Sequence, residues 1–226
     1  MSDAHKKAAG QAAMAYVKPG MKVGLGTGST AVWFVRAVAA SGLKLTLAST
    51  SQQTTTIAEE LGLTIHDIND VGTLDLVVDG ADEIGPGLSL IKGGGGALLR
   101  EKLIWEQAKT CVVIADAAKT VPVLGRFPLP IEVEPFAYKG TLNRICDVLA
   151  EFDIGKVPIL RKRKGGSWIT DGGNLIFDVA CGAIDDPAGL AAALKSVTGV
   201  VDHGLFLDLA EVALIGTDDG VKTIYP

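Results

Sequence analysis

Leu74-Asp75-Leu76-Val77-Val78-Asp79-Gly80-Ala81-Asp82-Glu83 is a short apolar run that ends on carboxylates. An apolar strand without period-two alternation is covered on both faces, which points to a parallel sheet between helical layers. Such sheets hold ligands just beyond the carboxyl ends of their strands, so Asp79 and Asp82 fall where a ligand would sit. Taken singly, either aspartate reads equally well as turn chemistry, because Asp-Gly is a common turn pair. The following residues shift that balance. Lys92 stands directly before four consecutive glycines, Gly93 to Gly96, and Ala97-Leu98-Leu99-Arg100-Glu101-Lys102-Leu103 then starts a helix with one more carboxylate. Bare backbone next to an ammonium suits a developing oxyanion, whereas flexibility alone would not require the lysine.

Glu101 is the candidate general base. At ~100° per residue its helical neighbours are Ala97, Leu98, Ile104, Trp105 and Ala108, while Arg100, Lys102 and Glu106 point elsewhere. A carboxylate among apolar side chains has its charged form disfavoured, so its pKa is expected to rise toward a value useful in proton transfer. The competing account is a first-turn glutamate favoured by the helix dipole.

Working outward toward the N-terminus, residues 6–17 read as a helix closed by Pro19-Gly20, and residues 22–25 as a strand. Gly26-Thr27-Gly28-Ser29-Thr30 leads into a helix at Ala31. The spacing Gly26-x-Gly28-x-x-Ala31 satisfies a small-residue dinucleotide fingerprint, but the second strand ends on Ser49-Thr50-Ser51, not on the acid that would hold a ribose diol. What remains is an anion cup at a helix N-terminus, with hydroxyls from Thr27, Ser29 and Thr30 as added donors; helix capping by Ser29 or Thr30 is the plainer alternative. No G-x-x-x-x-G-K-[ST] occurs, which disfavours a nucleoside triphosphate. Strands and helices alternate through this half, and residues 111–115 form a further apolar strand ending on Asp116-Ala117-Ala118-Lys119.

The character changes at Gly125-Arg126-Phe127-Pro128-Leu129-Pro130. Beyond it the order reads β-α-β-β-α-β, a split βαβ sandwich, and the last two strands return to the first sheet. The expected fold is therefore α/β: a doubly wound, Rossmann-like, mostly parallel sheet over residues 1–127 and 203–226, with an inserted ferredoxin-like α+β domain over residues 128–202. Arg161-Lys162-Arg163-Lys164-Gly165-Gly166 reads as a solvated hairpin turn.

Composition narrows the partners. A formal net charge of −5 and a pI near 5.2 leave no basic face for nucleic acid or an anionic membrane. Cys111, Cys146 and Cys181 are widely spaced and lack a C-x-x-C pair, so reduced thiols are expected in place of disulfides or zinc, and the three histidines show no metal spacing. No run approaches the ~20 apolar residues of a membrane span, and the first residues lack a signal-peptide core, so a cytoplasmic location is expected.

Four ordered blocks together resemble ribose-5-phosphate isomerase, type A: Gly26-Thr27-Gly28-Ser29-Thr30, Asp79-Gly80-Ala81-Asp82-Glu83, Lys92-Gly93-Gly94-Gly95-Gly96-Ala97 and Arg100-Glu101-Lys102. The likeness continues through residues 114–119, 127–130 and 212–217, nearly the whole chain. It implies cofactor-free interconversion of D-ribose 5-phosphate and D-ribulose 5-phosphate, a step of the pentose phosphate pathway, through an enediolate. By that likeness Glu101 is the base, and Asp79, Asp82 and Lys92 assist ring opening and handle charge at the two oxygens. It assigns substrate contacts to Thr27, Gly28, Ser29, Thr30, Gly80, Ala81, Gly93, Gly94, Gly95 and Lys119, with Lys6 a further contributor. It implies a homodimer or homotetramer and no metal. The glutamine and threonine pattern after the second strand, residues 49–54, departs from the family blocks. Two other classes share some of these features. A coenzyme A transferase would use Glu101 as nucleophile and need a large acyl-carrier cleft, and a sugar-phosphate sensor would need a DNA-binding module for which the residues before Val23 are too few.

Overall fold

The computed structural model describes residues 3–226. Its chain opens with α1 Asp3–Ala12, β1 Lys22–Leu25, α2 Ala31–Ser41, β2 Thr46–Ser49, α3 Gln52–Glu60, the single turn α4 Ile68–Val71, and β3 Leu76–Gly80. Local chemistry sets these limits. Gly42 ends α2 in the left-handed region (φ 64°), which costs glycine little. Ser51 caps α3 by accepting a hydrogen bond from Thr54 N–H. Two short strands follow, β4 Glu83–Ile84 and β5 Leu90–Ile91, then α5 Leu98–Glu106 and β6 Cys111–Asp116. The rest is β7 Leu129–Val133, α6 Tyr138–Glu151, β8 Ile159–Leu160, β9 Lys162–Arg163, β10 Gly166–Ser167, β11 Leu175–Val179, α7 Pro187–Ser196, β12 Val200–His203, β13 Leu205–Phe206, β14 Val212–Thr217 and β15 Gly220–Ile224.

Two compact units emerge, one made of Met1–Ala81, Arg100–Thr120 and Asp208–Pro226, the other of Asp82–Leu99 and Val121–Leu207. The first holds a sheet in the order β15-β14-β6-β3-β1-β2, parallel except for the antiparallel edge strand β15. Counting its parallel strands along the chain gives 2-1-3-4-5, a doubly wound order whose switch point lies between β1 and β3. Val23, Leu25, Leu76, Val78, Val112, Ile114, Val212 and Leu214 bury one sheet face against Phe34, Val35 and Val38 of α2 and Ala9 of α1. Full burial of such a side chain contributes about 1.5–3 kcal/mol, so this one layer fixes which way every strand faces.

The second unit contains a four-stranded sheet in the order β12-β7-β11-β8, every pair antiparallel, with α6 and α7 as its two helices. In chain order that is 4-1-3-2, the ferredoxin-like arrangement expected from the β-α-β-β-α-β pattern. Ile131, Val133, Phe177 and Val179 of its strands meet Ile145 and Leu149 of α6 and Leu190 and Leu194 of α7.

The division differs from the expected split at residues 127/128 and 202/203. Residues 82–99 and 121–127 group with the small unit because β4, β5 and β13 form a separate antiparallel sheet there, and because Val121 N–H bonds the Ile84 carbonyl. Two-residue strands carry no hydrophobic period, so the sequence offers nothing to reveal them.

Candidate active site

Gly26 to Thr30 and Asp79 lie at the ends of β1 and β3, neighbouring parallel strands, and so meet at the switch point of the first unit's sheet. Asp79 is fully buried, and its Oδ1 accepts from Thr27 N–H at 2.9 Å and Gly80 N–H at 2.7 Å, while the Trp105 indole N–H lies 3.4 Å from Oδ2. A Cβ at Gly26 would stand 2.2 Å from that Oδ1, so only glycine lets the loop pass the aspartate. Asp79 thus joins the glycine loop to α5, a positioning task that the sequence does not reveal.

The loop's hydroxyls divide into two groups. Thr27 was expected to donate outward, but its Oγ1 is buried and bonds Thr50 Oγ1 (2.7 Å), Ser51 Oγ (2.7 Å) and Thr54 Oγ1 (3.1 Å). Thr54 Oγ1 in turn donates to the Gly26 carbonyl at 3.0 Å. The stretch that departs from the family blocks is therefore what holds the loop in shape. Ser29 and Thr30 remain toward the surface. Thr30 occupies the N-cap position of α2 without a side-chain capping bond, and Ser29 Oγ accepts from Lys6 Nζ at 2.9 Å, so capping does not account for either residue. A lysine that is 8% exposed on α1 thereby reaches the anion loop. A cavity of about 230 Å³ opens beside it, lined by Gly26, Gly28, Ser29, Gln53 and Thr54 with Val32 as part of its apolar wall.

Glu101 lies on α5 with 4% exposure, and Leu98, Ile104 and Trp105 of the same helix are buried as the periodicity predicts. Lys102 was expected to point away and does not; it is 8% exposed, because α5 buries a broader arc than one stripe and a long aliphatic stem can follow it. Lys119 closes the short turn after β6, which pairs with β3, so its backbone lies at the same edge of the sheet as Asp79 and Gly80.

In the second unit, Lys92 is 2% exposed, and its ammonium stands 5.4 Å from the Phe206 ring centre. Asp82 Oδ2 accepts from Gly94 N–H at 2.7 Å. Gly93 and Gly96 have φ of 102° and 83°, and a Cβ on Gly96 would lie 2.5 Å from the Trp168 indole nitrogen, so both positions require glycine. Gly94 and Gly95 are exposed. Glu83, next to Asp82, is a loop anchor: it is 1% exposed and accepts from Gly125 and Phe127 N–H, each at 2.7 Å. The Cys181 thiol is pushed up to about 11 by burial and stays protonated at neutral pH. Among the described residues no three His, Cys, Asp or Glu side chains gather as a metal site. No helix of the described residues is long and apolar enough to cross a membrane.

Fold and site define a class: a doubly wound α/β protein with an inserted ferredoxin-like unit and a glycine loop beside the buried Asp79 carboxylate at the switch point of its sheet. Comparison with known proteins specifies it. Residues 46–220 match the family described as ribose 5-phosphate isomerase A (phosphoriboisomerase A). The ribose-5-phosphate isomerase A of Caulobacter vibrioides is 62% identical over 226 residues, covering 100% of this chain and 99% of its own. The ribose 5-phosphate isomerase structure from Plasmodium falciparum superimposes with a TM-score of 0.93 at 35% identity, over 100% of this chain and 99% of that one. A D-ribose-5-phosphate isomerase in complex with phospho-erythronic acid gives 0.91 at 36% identity, over 98% of each chain. The chain belongs to the ribose 5-phosphate isomerase A family.

Proposed function

We propose that the chain is an aldose-ketose isomerase interconverting D-ribose 5-phosphate and D-ribulose 5-phosphate through an enediolate, with Glu101 as the base. In the open-chain aldose the Glu101 carboxylate takes the C2 proton, and the electron pair moves through C1–C2 onto the carbonyl oxygen O1. A proton passes from O2 to O1, the carbonyl re-forms at C2, and Glu101 returns its proton to C1. The carbon skeleton keeps every electron, so no redox cofactor is required.

The observation that carries this reading is the burial of Glu101 in the same unit as an anion loop whose Ser29 is bonded by Lys6. Burial suits a base that must exchange a proton with carbon without losing it to water. Ser29, Thr30, the loop N–H groups of residues 28–30, Lys6 and Lys119 are assigned to the phosphate, because Thr27 N–H is taken by Asp79. Asp82 and Lys92 are assigned to ring opening and to charge at O1 and O2, with the N–H groups of Gly93 and Gly95 as donors to the same oxygens, while Gly94 N–H is held by Asp82. Asp79 supports the reading differently from the expectation, since its Oδ1 holds Thr27 and Gly80 in place. Gly80 and Ala81 are assigned to substrate contact, and a homodimer or homotetramer is proposed on family grounds.

The test is solvent deuterium incorporation into ribose 5-phosphate. Deuterium should enter at C2 of recovered aldose and at C1 of the ketose. Binding without exchange would mark a sensor and overturn the proposal.

A further inference from the structure

Arg161 opens the basic run that reads as a solvated turn, and the hairpin of β9 and β10 after it is indeed largely exposed. Arg161 itself departs from that description. Its side chain is 12% exposed and directed back into the unit. Nε donates to Asp178 Oδ2 at 2.8 Å and Nη2 to Oδ1, so the guanidinium lies flat against a carboxylate fixed on β11. Its remaining nitrogen, Nη1, donates to the carbonyls of Gly93 at 2.8 Å and Gly94 at 3.2 Å.

We infer that Arg161, oriented by Asp178, is a positioning residue that presets the glycine loop of residues 93–96 for catalysis; the inference rests on the isomerase reading above. A peptide unit is planar, so fixing a carbonyl fixes the next residue's N–H in the opposite direction. Holding the Gly93 carbonyl aims Gly94 N–H, which is received by Asp82 at 2.7 Å. Holding the Gly94 carbonyl aims Gly95 N–H away from the guanidinium. Glycines have the greatest backbone freedom of any residue, and an untethered run would have to order itself each time charge developed on the substrate. The forked, planar guanidinium can bind a carboxylate and two carbonyls together, which an ammonium cannot. Trp168 against Gly96 and Phe127 against Gly94 close the other sides of the loop.

The test uses R161K, which retains the charge and loses the fork, and D178N, which loosens the guanidinium without removing it. Each is measured for thermal unfolding, for kcat and KM with ribose 5-phosphate, and for inhibition by phospho-erythronic acid, whose carboxylate places charge where the enediolate would carry it. In R161K kcat should fall about 10- to 100-fold with KM held within about twofold, because misplacement of donors by an ångström costs on that order. Inhibition by phospho-erythronic acid should weaken in step with kcat, which loss of stability alone would not produce. If R161K fails to fold, D178N decides: a fall in kcat at steady KM supports the inference. Variants that fold and keep wild-type kcat overturn it. A wild-type chain inert toward ribose 5-phosphate removes the functional reading instead, and the inference with it.

Discussion

At the scale of single residues, roles follow from where oxygens and hydroxyls point. Glu101 is buried on α5, and replacing it with glutamine keeps shape while deleting the proposed base. E101Q should lower kcat by about 10²–10⁴-fold with folding and phosphate affinity intact, measured by steady-state turnover beside a melting curve. Near-normal turnover would remove Glu101 from the mechanism. Ser29 and Thr30 are proposed to bind the phosphate without a part in proton transfer, so alanine at both positions should chiefly raise KM for the phosphorylated sugar. An unchanged KM would move the phosphate elsewhere. Their candidacy came from a local signature, a helix N-terminus with small hydroxyl residues. The same signature misplaced the Thr27 hydroxyl, which turns toward Thr50, Ser51 and Thr54, more than twenty positions along the chain.

At the scale of elements, β7 carries a buried acid outside the proposed chemistry. Glu132 is 1% exposed on β7, and it accepts from Thr170 Oγ1 at 2.8 Å and Asn174 Nδ2 at 2.9 Å. Burial raises its pKa above the ordinary 4.5, against the opposing effect of those hydrogen bonds, and the Asp202 carboxylate adds to the rise. The folded protein therefore holds this proton to higher pH than the unfolded chain does. Its contribution to stability is full below 4.5 and declines as pH rises from there through the folded pKa. Glu132→Gln lacks that titration, so its melting temperature relative to wild type should increase between pH 4 and pH 8. A difference that stays flat or shrinks would contradict the assignment. Caps and breakers mark element limits locally, as at Gly42, which ends α2, and at Asp186-Pro187, where Asp186 accepts from Gly189 N–H.

For the whole molecule, the isomerase reading requires neither a metal nor a redox cofactor. Turnover should persist after exhaustive chelation; activity lost on chelation and restored only by a metal would refute the reading. The alternation of apolar strands with helices made the doubly wound sheet legible, and the β-α-β-β-α-β order made the ferredoxin-like unit legible. Their dividing line was less so. The proline-rich crossing at residues 125–130 is conspicuous, but the units divide at Ala81, Leu99, Thr120 and Leu207.

The sequence by itself determined the parallel sheet, the order of elements and the candidate groups of residues 26–30, 79–82 and 92–101, because hydrophobic period, turn chemistry and glycine runs are local properties. Tertiary structure alone decided that Asp79 holds two backbone N–H groups, that Glu83 anchors a loop, and that Arg161 grips the glycine carbonyls from across its unit. These are pairings between side chains and backbone far apart in sequence. A backbone amide or carbonyl looks the same at every position, so nothing local marks which one a distant side chain will bind.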